Sequence, residues 1–314
     1  MNTTTSIPNP HLSDVIIADP TIRLIKGRYY LYATDAGASE PGFQVWSSPD
    51  LVTWDCHGMA LRFDDVTWAT AEAWAPDLFV DGDRYLLYFC ADSQIGVAEA
   101  DNPAGPFVDM LGKPLVPHAP DLSSIDPMVF RDDDGRSYLY WGSSPATWLE
   151  GKVDTINRCM FVRELGPDLC SFIGDTHTTV CSYPVHIEGS YLFKRQGRYI
   201  FMWSAGNWTA CDGSNDYHVR AAMAESPFGP FTEIDQPLLE SDLEHGLISP
   251  GHNSILHLAD EDRYLIVYHA HAGDERRHLY LDELSFDEHG RPIPLRPSRS
   301  GIRAPKTQLQ QAAN

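Results

Sequence analysis

Short apolar runs separated by polar turns dominate this sequence, and one such run occurs five times. Each copy opens with Gly or Asp followed by Arg and continues with mainly aromatic and aliphatic residues. The copies cover 27–33, 83–89, 135–141, 197–203 and 262–268. A turn followed by such residues is typical of a hairpin that leads into a buried strand. Helical periodicity is weak along the whole chain. The pattern therefore predicts an all-β protein.

The repeat spacing indicates how the strands are arranged. The arginines of the five copies are 56, 52, 62 and 65 residues apart. Units of this length, each with three or four short strands, predict a five-bladed β-propeller, because radially packed sheets bury each other's faces. A two-sheet sandwich does not account for five copies in phase. We expect a single domain over 1–314, without a C-terminal β-sandwich, whose blades are built around 19–55, 74–109, 125–165, 185–233 and 250–295.

Composition narrows the range of partners. The 314 residues include 23 Lys and Arg against 44 Asp and Glu, so the net charge is −21. This charge argues against nucleic acid and anionic membranes as partners, since both require cationic side chains. No apolar run reaches the roughly 18 residues of a membrane helix. The first ten residues lack a secretory signal pattern, so we expect a cytoplasmic protein, or a periplasmic or extracellular one if the chain is a processed form. None of the six cysteines forms Cys-x-x-Cys, so a zinc site is not expected. Free thiols are favoured over three disulfides, because a domain of this length does not need such cross-links.

An acidic residue or a histidine precedes each copy of the repeat by about ten residues. These residues are Asp19, Asp77, Asp126, Glu188 and His252. If they lie on the first strands of the blades at one phase of the repeat, they converge on the central channel. Carboxyl groups in an aromatic-lined pocket suit the hydrolysis of a carbohydrate, which needs one protonated carboxyl group and one ionised carboxylate. The alternative is that each is a solvated turn carboxylate.

The segments around these residues resemble glycoside hydrolase family 43. They are Asp-Pro-Thr-Ile at 19–22, Trp-Ala-Pro-Asp-Leu at 74–78, Ile-Asp-Pro-Met-Val-Phe at 125–130, Ile-Glu-Gly-Ser at 187–190 and Gly-His-Asn-Ser at 251–254. The resemblance implies that Asp19 is the general base, that Glu188 is the general acid, and that Asp126 orients Glu188 and modulates its pKa. It also implies inversion, with carboxyl groups roughly 6.5–9.5 Å apart. The family usually has proline where this chain has Ser190.

The resemblance suggests further site residues. His252 resembles a channel histidine that helps to hold calcium or another cation through waters; a histidine satisfied by neighbouring carboxylates is the alternative. No organic cofactor is expected. The candidates for substrate contact are Trp74, Asp77, Trp208, Arg276 and Arg277. Blade packing, a structural carboxylate and solvated loop arginines are the competing interpretations. The polar segment 206–217, which contains Trp208, is a candidate for substrate selectivity.

These features predict an inverting glycoside hydrolase that acts on oligosaccharides. The stretch 201–208 resembles exo-acting arabinofuranosidases, so the expected reaction is release of terminal α-L-arabinofuranosyl residues from plant arabinan or arabinoxylan. A β-xylosidase acting on xylo-oligosaccharides is the first alternative, and an endo-arabinanase is the second. A non-catalytic carbohydrate-binding propeller is the alternative from another class.

Overall fold

Five antiparallel sheets surround a central axis, which confirms the predicted five-bladed β-propeller. The computed structural model describes residues 6–34, 40–118, 122–145, 158–183, 185–207, 217–274 and 276–305. Within these ranges the strands of each blade pair in chain order, from the innermost strand at the channel outwards. Two short 3₁₀ helices, Phe63–Asp65 and Ala259–Glu261, are the helical segments of the described chain.

A two-residue strand, β1 (Ser6–Ile7), precedes the blades. The first blade has the strands β2 (Ala18–Ile25), β3 (Arg28–Thr34), β4 (Gly42–Ser48) and β5 (Asp55–Arg62). The second has β6 (Trp74–Asp81), β7 (Arg84–Ala91), β8 (Gln94–Ala100) and β9 (Val108–Asp109). The third has β10 (Leu122–Arg131), β11 (Ser137–Pro145), β12 (Arg158–Leu165) and β13 (Thr178–Tyr183). The fourth has β14 (Ile187–Arg195), β15 (Arg198–Ala205), β16 (His218–Ala224) and β17 (Thr232–Glu233). The fifth has β18 (Ile248–Leu258), β19 (Arg263–His271) and β20 (Arg277–Leu284), and a short strand β21 (Ile302–Arg303) follows it.

The five sequence repeats form the second strand of each blade. Three tyrosines at one position of these strands, Tyr32, Tyr88 and Tyr140, are fully buried. Each donates its hydroxyl to a backbone carbonyl in the next blade; these acceptors are Pro103, Leu169 and Pro227. A buried hydroxyl needs such a partner, and a bond of this kind contributes about 1 kcal/mol. The repeated tyrosines thus join neighbouring sheets while their rings fill the core between them.

The two ends of the described chain close the ring. Ser6 and Ile7 in β1 pair with Arg303 and Ile302 in β21. The side chain of Asn9 donates to the backbone oxygen of Leu281 at 2.9 Å and accepts the Leu281 N–H at 2.9 Å. These bonds fasten the N-terminal segment along the outer edge of the fifth blade, whose own sheet has three strands.

The described cysteines form no cross-links within the fold. No disulfide joins the cysteines at 56, 90, 159, 170 and 181, and Cys211 lies outside the described residues. In the ranges given above, no helix has the length and apolar character that a membrane span requires.

Candidate active site

Each innermost strand contains a β-bulge at the same position. The register shifts occur between Ala18 and Thr21 in β2 and at the equivalent places of β6, β10, β14 and β18. The residue at each bulge has a positive φ; these bulge residues are Asp19 (50°), Ala75 (43°), Asp126 (58°), Gly189 (64°) and His252 (47°). Bulges redirect side chains and are common beside active sites. The five bulges therefore define one level of the channel.

The expectation that the five candidate residues share one phase is wrong for two of them. Asp19, Asp126 and His252 are bulge residues. Asp77 lies two residues after the bulge residue of its strand, and Glu188 lies one residue before Gly189. Since neighbouring residues of a strand point to opposite sides, Glu188 reaches the site in a different way from the other carboxyl groups.

Asp19 is a buried carboxylate among hydrogen-bond donors and positive charges. It accepts a hydrogen bond from the Thr34 hydroxyl. Its Oδ1 lies 3.2 Å from Nδ1 of His252 and 3.4 Å from Nη1 of Arg277. Burial opposes ionisation, but the charges of His252 and Arg277 hold the pKa of Asp19 well below its usual range. Asp19 is therefore ionised, as a general base must be.

His269 supports Asp19 from the neighbouring strand. Its Nδ1 accepts the backbone N–H of Asp19 at 3.1 Å, so this nitrogen carries no proton. Burial lowers the pKa of His269 to about 4, although the Asp19 carboxylate opposes this shift. The neutral imidazole thus fixes the backbone of the bulge without adding charge to the site.

Asp126 is the carboxyl group that holds a proton most readily. Its Oδ2 accepts the backbone N–H of Gly189 at 2.8 Å and lies 3.9 Å from Nδ1 of His252. Burial raises the pKa of Asp126 to about 7; the negative charges of Glu188 and Asp19 add to this shift and His252 opposes it. Asp126 is therefore protonated over much of the range in which Asp19 is ionised.

Glu188 receives a hydrogen bond at each of its carboxylate oxygens. The hydroxyl of Tyr217 donates to Oε1 at 2.7 Å. Nε2 of His186 lies 2.7 Å from Oε2, and this nitrogen carries the proton because an ionised carboxylate only accepts. Burial opposes ionisation, yet His186 and His252 lower the pKa of Glu188 to about 2. Burial and the nearby carboxylates thus favour a proton on Asp126, whereas His186 and His252 favour the ionised form of Glu188, which is opposite to what a resting general acid requires.

Gly189 allows the fourth blade to approach His252. A Cβ atom at this position would lie 3.1 Å from Cγ and 3.2 Å from Cα of His252. The φ of Gly189, +64°, is also in the left-handed region that favours glycine. The close approach places the Gly189 N–H against Asp126.

The predicted substrate-contact residues fall into three groups. Arg277 contacts Asp19, and Trp74, with 39% of its surface exposed, directly precedes the bulge residue Ala75. The Ala75 N–H donates to the Thr34 hydroxyl at 2.8 Å, and this hydroxyl donates to Asp19, so the backbone next to Trp74 is tied to the surroundings of Asp19. Arg276 instead pairs with Asp274 at 2.8 Å, with 52% of its side chain exposed. Trp208 lies outside the described residues.

The structure does not bring Asp77 into the carboxyl cluster, which consists of Asp19, Asp126 and Glu188. It forms an ion pair with Arg23 of the first blade. Its oxygens also accept the Thr21 hydroxyl at 3.3 Å and the Val129 N–H at 3.1 Å. Asp77 therefore links the inner strands of the first three blades, and its accepting atoms are occupied by protein groups.

Sequence reasoning missed three residues that contact the cluster: His186, Tyr217 and His269. His186 is two residues before Glu188, so an extended backbone places both side chains on one side, and this spacing was a usable signal. Tyr217 and His269 belong to other strands or connections, and their rings stack at 6.1 Å between centroids. Tyr217 ends the segment 206–217 that is a candidate for selectivity, but nothing local in the sequence indicates its contact with Glu188 or the contact of His269 with Asp19.

His252 lies among the carboxylates of Asp19, Asp126 and Glu188. Although burial favours the neutral imidazole, these carboxylates raise the pKa of His252, which favours the protonated form over a direct metal ligand. In the part of the chain that the structure describes, no group of three or more His, Cys, Asp or Glu side chains is arranged to ligate a metal ion directly. A cation held near His252 through waters stays a prediction.

Comparison with known proteins identifies the family of this chain. Residues 7–292 match the sequence model of glycosyl hydrolases family 43. The chain is 32% identical to a β-D-galactofuranosidase of Aspergillus niger over 91% of this chain and 84% of that protein. It is 30% identical to an arabinoxylan arabinofuranohydrolase of Bacillus subtilis, over 83% of this chain and 57% of that protein. The structure of a thermostable family-43 glycoside hydrolase superposes with a TM-score of 0.82 at 29% identity, covering 96% of this chain and 99% of the other.

Proposed function

This chain belongs to glycosyl hydrolase family 43, whose members invert the anomeric configuration, and we propose that it releases terminal α-L-arabinofuranosyl residues from arabinan or arabinoxylan oligosaccharides. The observation that carries the proposal is the meeting of Asp19, Asp126 and Glu188 around His252. A binding module has no need of three such carboxyl groups. The similarity to an arabinoxylan arabinofuranohydrolase supports the choice of sugar.

We assign the roles of Asp19 and Asp126 from their electrostatics, and that of Glu188 from the resemblance to the family. Asp19, with its lowered pKa, takes a proton from the attacking water. Glu188 donates a proton to the leaving glycosidic oxygen. Asp126 holds that proton before reaction and passes it to Glu188 when the sugar changes the surroundings of the pair. The cycle ends with a proton on Asp19 and none on Asp126 or Glu188, so Asp19 releases its proton to solvent and Asp126 takes one up.

Trp74 and Arg277 are the residues we propose for sugar binding. Trp74 offers an exposed indole face on which the apolar side of a sugar ring stacks. Arg277 contacts Asp19, so its guanidinium group can orient a sugar hydroxyl beside the attacking water. Stacking on Trp74 and hydrogen bonding to Arg277 both suit an uncharged sugar.

A β-D-galactofuranoside is the second candidate substrate. The galactofuranosidase relative matches this chain over 91% of its length. Its substrate has the same ring configuration as an α-L-arabinofuranoside and differs in a longer exocyclic arm. The carboxyl cluster acts at the anomeric carbon, whose configuration is the same in the two sugars. The preference of the enzyme for one sugar therefore depends on the space around the exocyclic arm.

The test is the relative kcat/KM for three nitrophenyl glycosides: the α-L-arabinofuranoside, the β-D-galactofuranoside and the β-D-xyloside. We expect the arabinofuranoside to be the best substrate, and Asp19→Asn serves as the control for contaminating activity. A higher value for the galactofuranoside supports the second candidate. A higher value for the xyloside, or no turnover of any of the three by a folded protein, contradicts the proposal.

A further inference from the structure

The second strands of the blades carry a repeated hydrogen-bond pattern at the level of the bulges. The residues that pair with the position before each bulge residue are Thr34, Cys90, Gly142, Ser204 and His269. Three of their side chains accept the backbone N–H of the bulge residue in the next blade. Thr34 accepts from Ala75 at 2.8 Å, Ser204 from His252 at 2.7 Å, and His269 from Asp19 at 3.1 Å. The bulges are thus supported by side-chain acceptors that run from blade to blade.

Two blades depart from this pattern. In the second blade the Cys90 thiol donates to the backbone oxygen of Ser124 at 3.9 Å. In the third blade Gly142 has no side-chain acceptor, and the N–H of the next bulge residue, Gly189, donates to Oδ2 of Asp126 at 2.8 Å instead. Asp126 belongs to the same blade as Gly142, so its carboxyl group takes the place that a hydroxyl or an imidazole has in the first, fourth and fifth blades.

Packing does not require glycine at position 142. A Cβ atom there would lie 3.3 Å from Sδ of Met160 and 3.8 Å from Cγ1 of Ile125. The thioether of Met160 is a flexible neighbour, which can yield by a few tenths of an ångström. Gly142 is also absent from the positive-φ positions of the described chain. The absence of a side chain at position 142 therefore affects hydrogen bonding rather than packing or backbone conformation.

We propose that Gly142 is a positioning residue for the reaction, because its lack of an acceptor leaves the Gly189 N–H to Asp126 and holds that carboxyl group beside Glu188. The inference rests on the proposed role of Asp126 as the partner of the general acid. A hydroxyl at position 142, placed as those of Thr34 and Ser204 are, would compete with Asp126 for the Gly189 N–H. Asp126 would then lose the bond that directs it towards the fourth blade.

Gly142→Ser tests the proposal, and Gly142→Ala is its matched control, since it adds the same Cβ without an acceptor. The substrates are the alkyl and dinitrophenyl glycosides of the sugar that the wild type hydrolyses best. The result of the test therefore does not depend on which sugar this is. We expect Gly142→Ser to lower kcat for the alkyl glycoside about tenfold to a hundredfold, because Asp126 would no longer be held towards Glu188. The dinitrophenyl glycoside, whose leaving group needs little protonation, is expected to lose less than about threefold. Gly142→Ala should stay within about threefold on both. Equal losses for the two variants, or no loss for Gly142→Ser, would overturn the proposal.

A double-mutant cycle shows whether the effect passes through Asp126. In an Asp126→Ala background, Gly142→Ser should cause no further loss on the alkyl glycoside. The same loss in both backgrounds would overturn the proposal. If Asp126→Ala alone has no effect, the proposed role of Asp126 fails, and the positioning role of Gly142 fails with it, while the family's hydrolysis stands.

A spectroscopic measurement covers the case in which Gly142→Ser does not fold. The amide proton of Gly189 in ¹⁵N-labelled protein should move upfield in Asp126→Ala, because its charged or strongly polar acceptor is lost. An unchanged resonance would show that Asp126 does not hold this N–H and would overturn the proposal without use of a Gly142 variant.

Discussion

The hydroxyl of Tyr217 lies 2.7 Å from Oε1 of Glu188 and donates to it. Tyr217 is fully buried, and its ring fits against Gly251, where a Cβ atom would lie 2.0 Å from Cε1 of the tyrosine. The donor is thus fixed in place, and it stabilises the ionised form of the side chain to which we assign proton donation. The Tyr217 hydroxyl thus adds to the larger effects of His186 and His252, which lower the pKa of Glu188.

Tyr217→Phe should raise the pKa of Glu188, because it removes a donor that favours the carboxylate. The pair of Asp126 and Glu188 then keeps its proton up to a higher pH. We expect the alkaline limb of kcat/KM for an alkyl glycoside to move upward by about one pH unit. A profile measured from pH 5 to 9 checks this, and an unmoved limb would show that Tyr217 does not act on Glu188.

The wild-type pH profile should fall on the alkaline side near pH 7. The pair must hold one proton for the reaction, and burial raises the pKa of Asp126 to about 7, so this proton is lost as the pH rises through that value. Asp19 remains ionised well below its usual pKa, so the base imposes no acidic limb near neutrality. Asp126→Asn removes the group with the raised pKa and leaves Glu188, whose pKa is lowered to about 2. We expect its alkaline limb to lie at lower pH than in the wild type; a limb that stays at pH 7 would contradict the assignment.

Gly189→Ala should impair catalysis more than stability. The new Cβ would lie 3.1 Å from His252, and the left-handed backbone would add roughly 1–2 kcal/mol of strain. Gly197→Ala is the control, because Gly197 has a φ of +78° and no atom within 4 Å of an added Cβ. We expect similar decreases in Tm for both variants and a loss of kcat of tenfold or more only for Gly189→Ala. Equal kcat values in the two variants would show that the approach to His252 does not matter.

Chelation should leave the activity unchanged. The carboxylates of Asp19 and Asp126 raise the pKa of His252, which favours the protonated imidazole over a direct metal ligand. We expect the same kcat/KM after dialysis against EDTA and after addition of calcium. A loss that calcium reverses would show that a cation replaces the proton of His252.

The sequence predicted the elements of the fold because each blade repeats its own local signal. Tyr32, Tyr88 and Tyr140 recur in one kind of buried strand, so their phase was visible without the structure. The bulges were not visible, since a register shift depends on the partner strand. Glu188 was therefore assigned the phase of Asp19, although it lies one residue before its bulge.

The surroundings of the cluster could be predicted only in part. His186 is close to Glu188 in the sequence, but His269 meets Asp19 across 250 residues. That contact exists because the fifth blade closes against the first. The pKa order of Asp126 and Glu188 likewise depends on such contacts, and no motif encodes it.

The most direct test of the assigned roles compares Glu188→Ala with Asp19→Ala on glycosides whose leaving groups differ in pKa. Glu188→Ala should lose several orders of magnitude on an oligosaccharide and far less on a dinitrophenyl glycoside, because a good leaving group departs without a proton. Asp19→Ala should lose activity on both, since water activation is needed in each case. Equal losses in Glu188→Ala on the two substrates, or near wild-type rates in Asp19→Ala, would contradict the account.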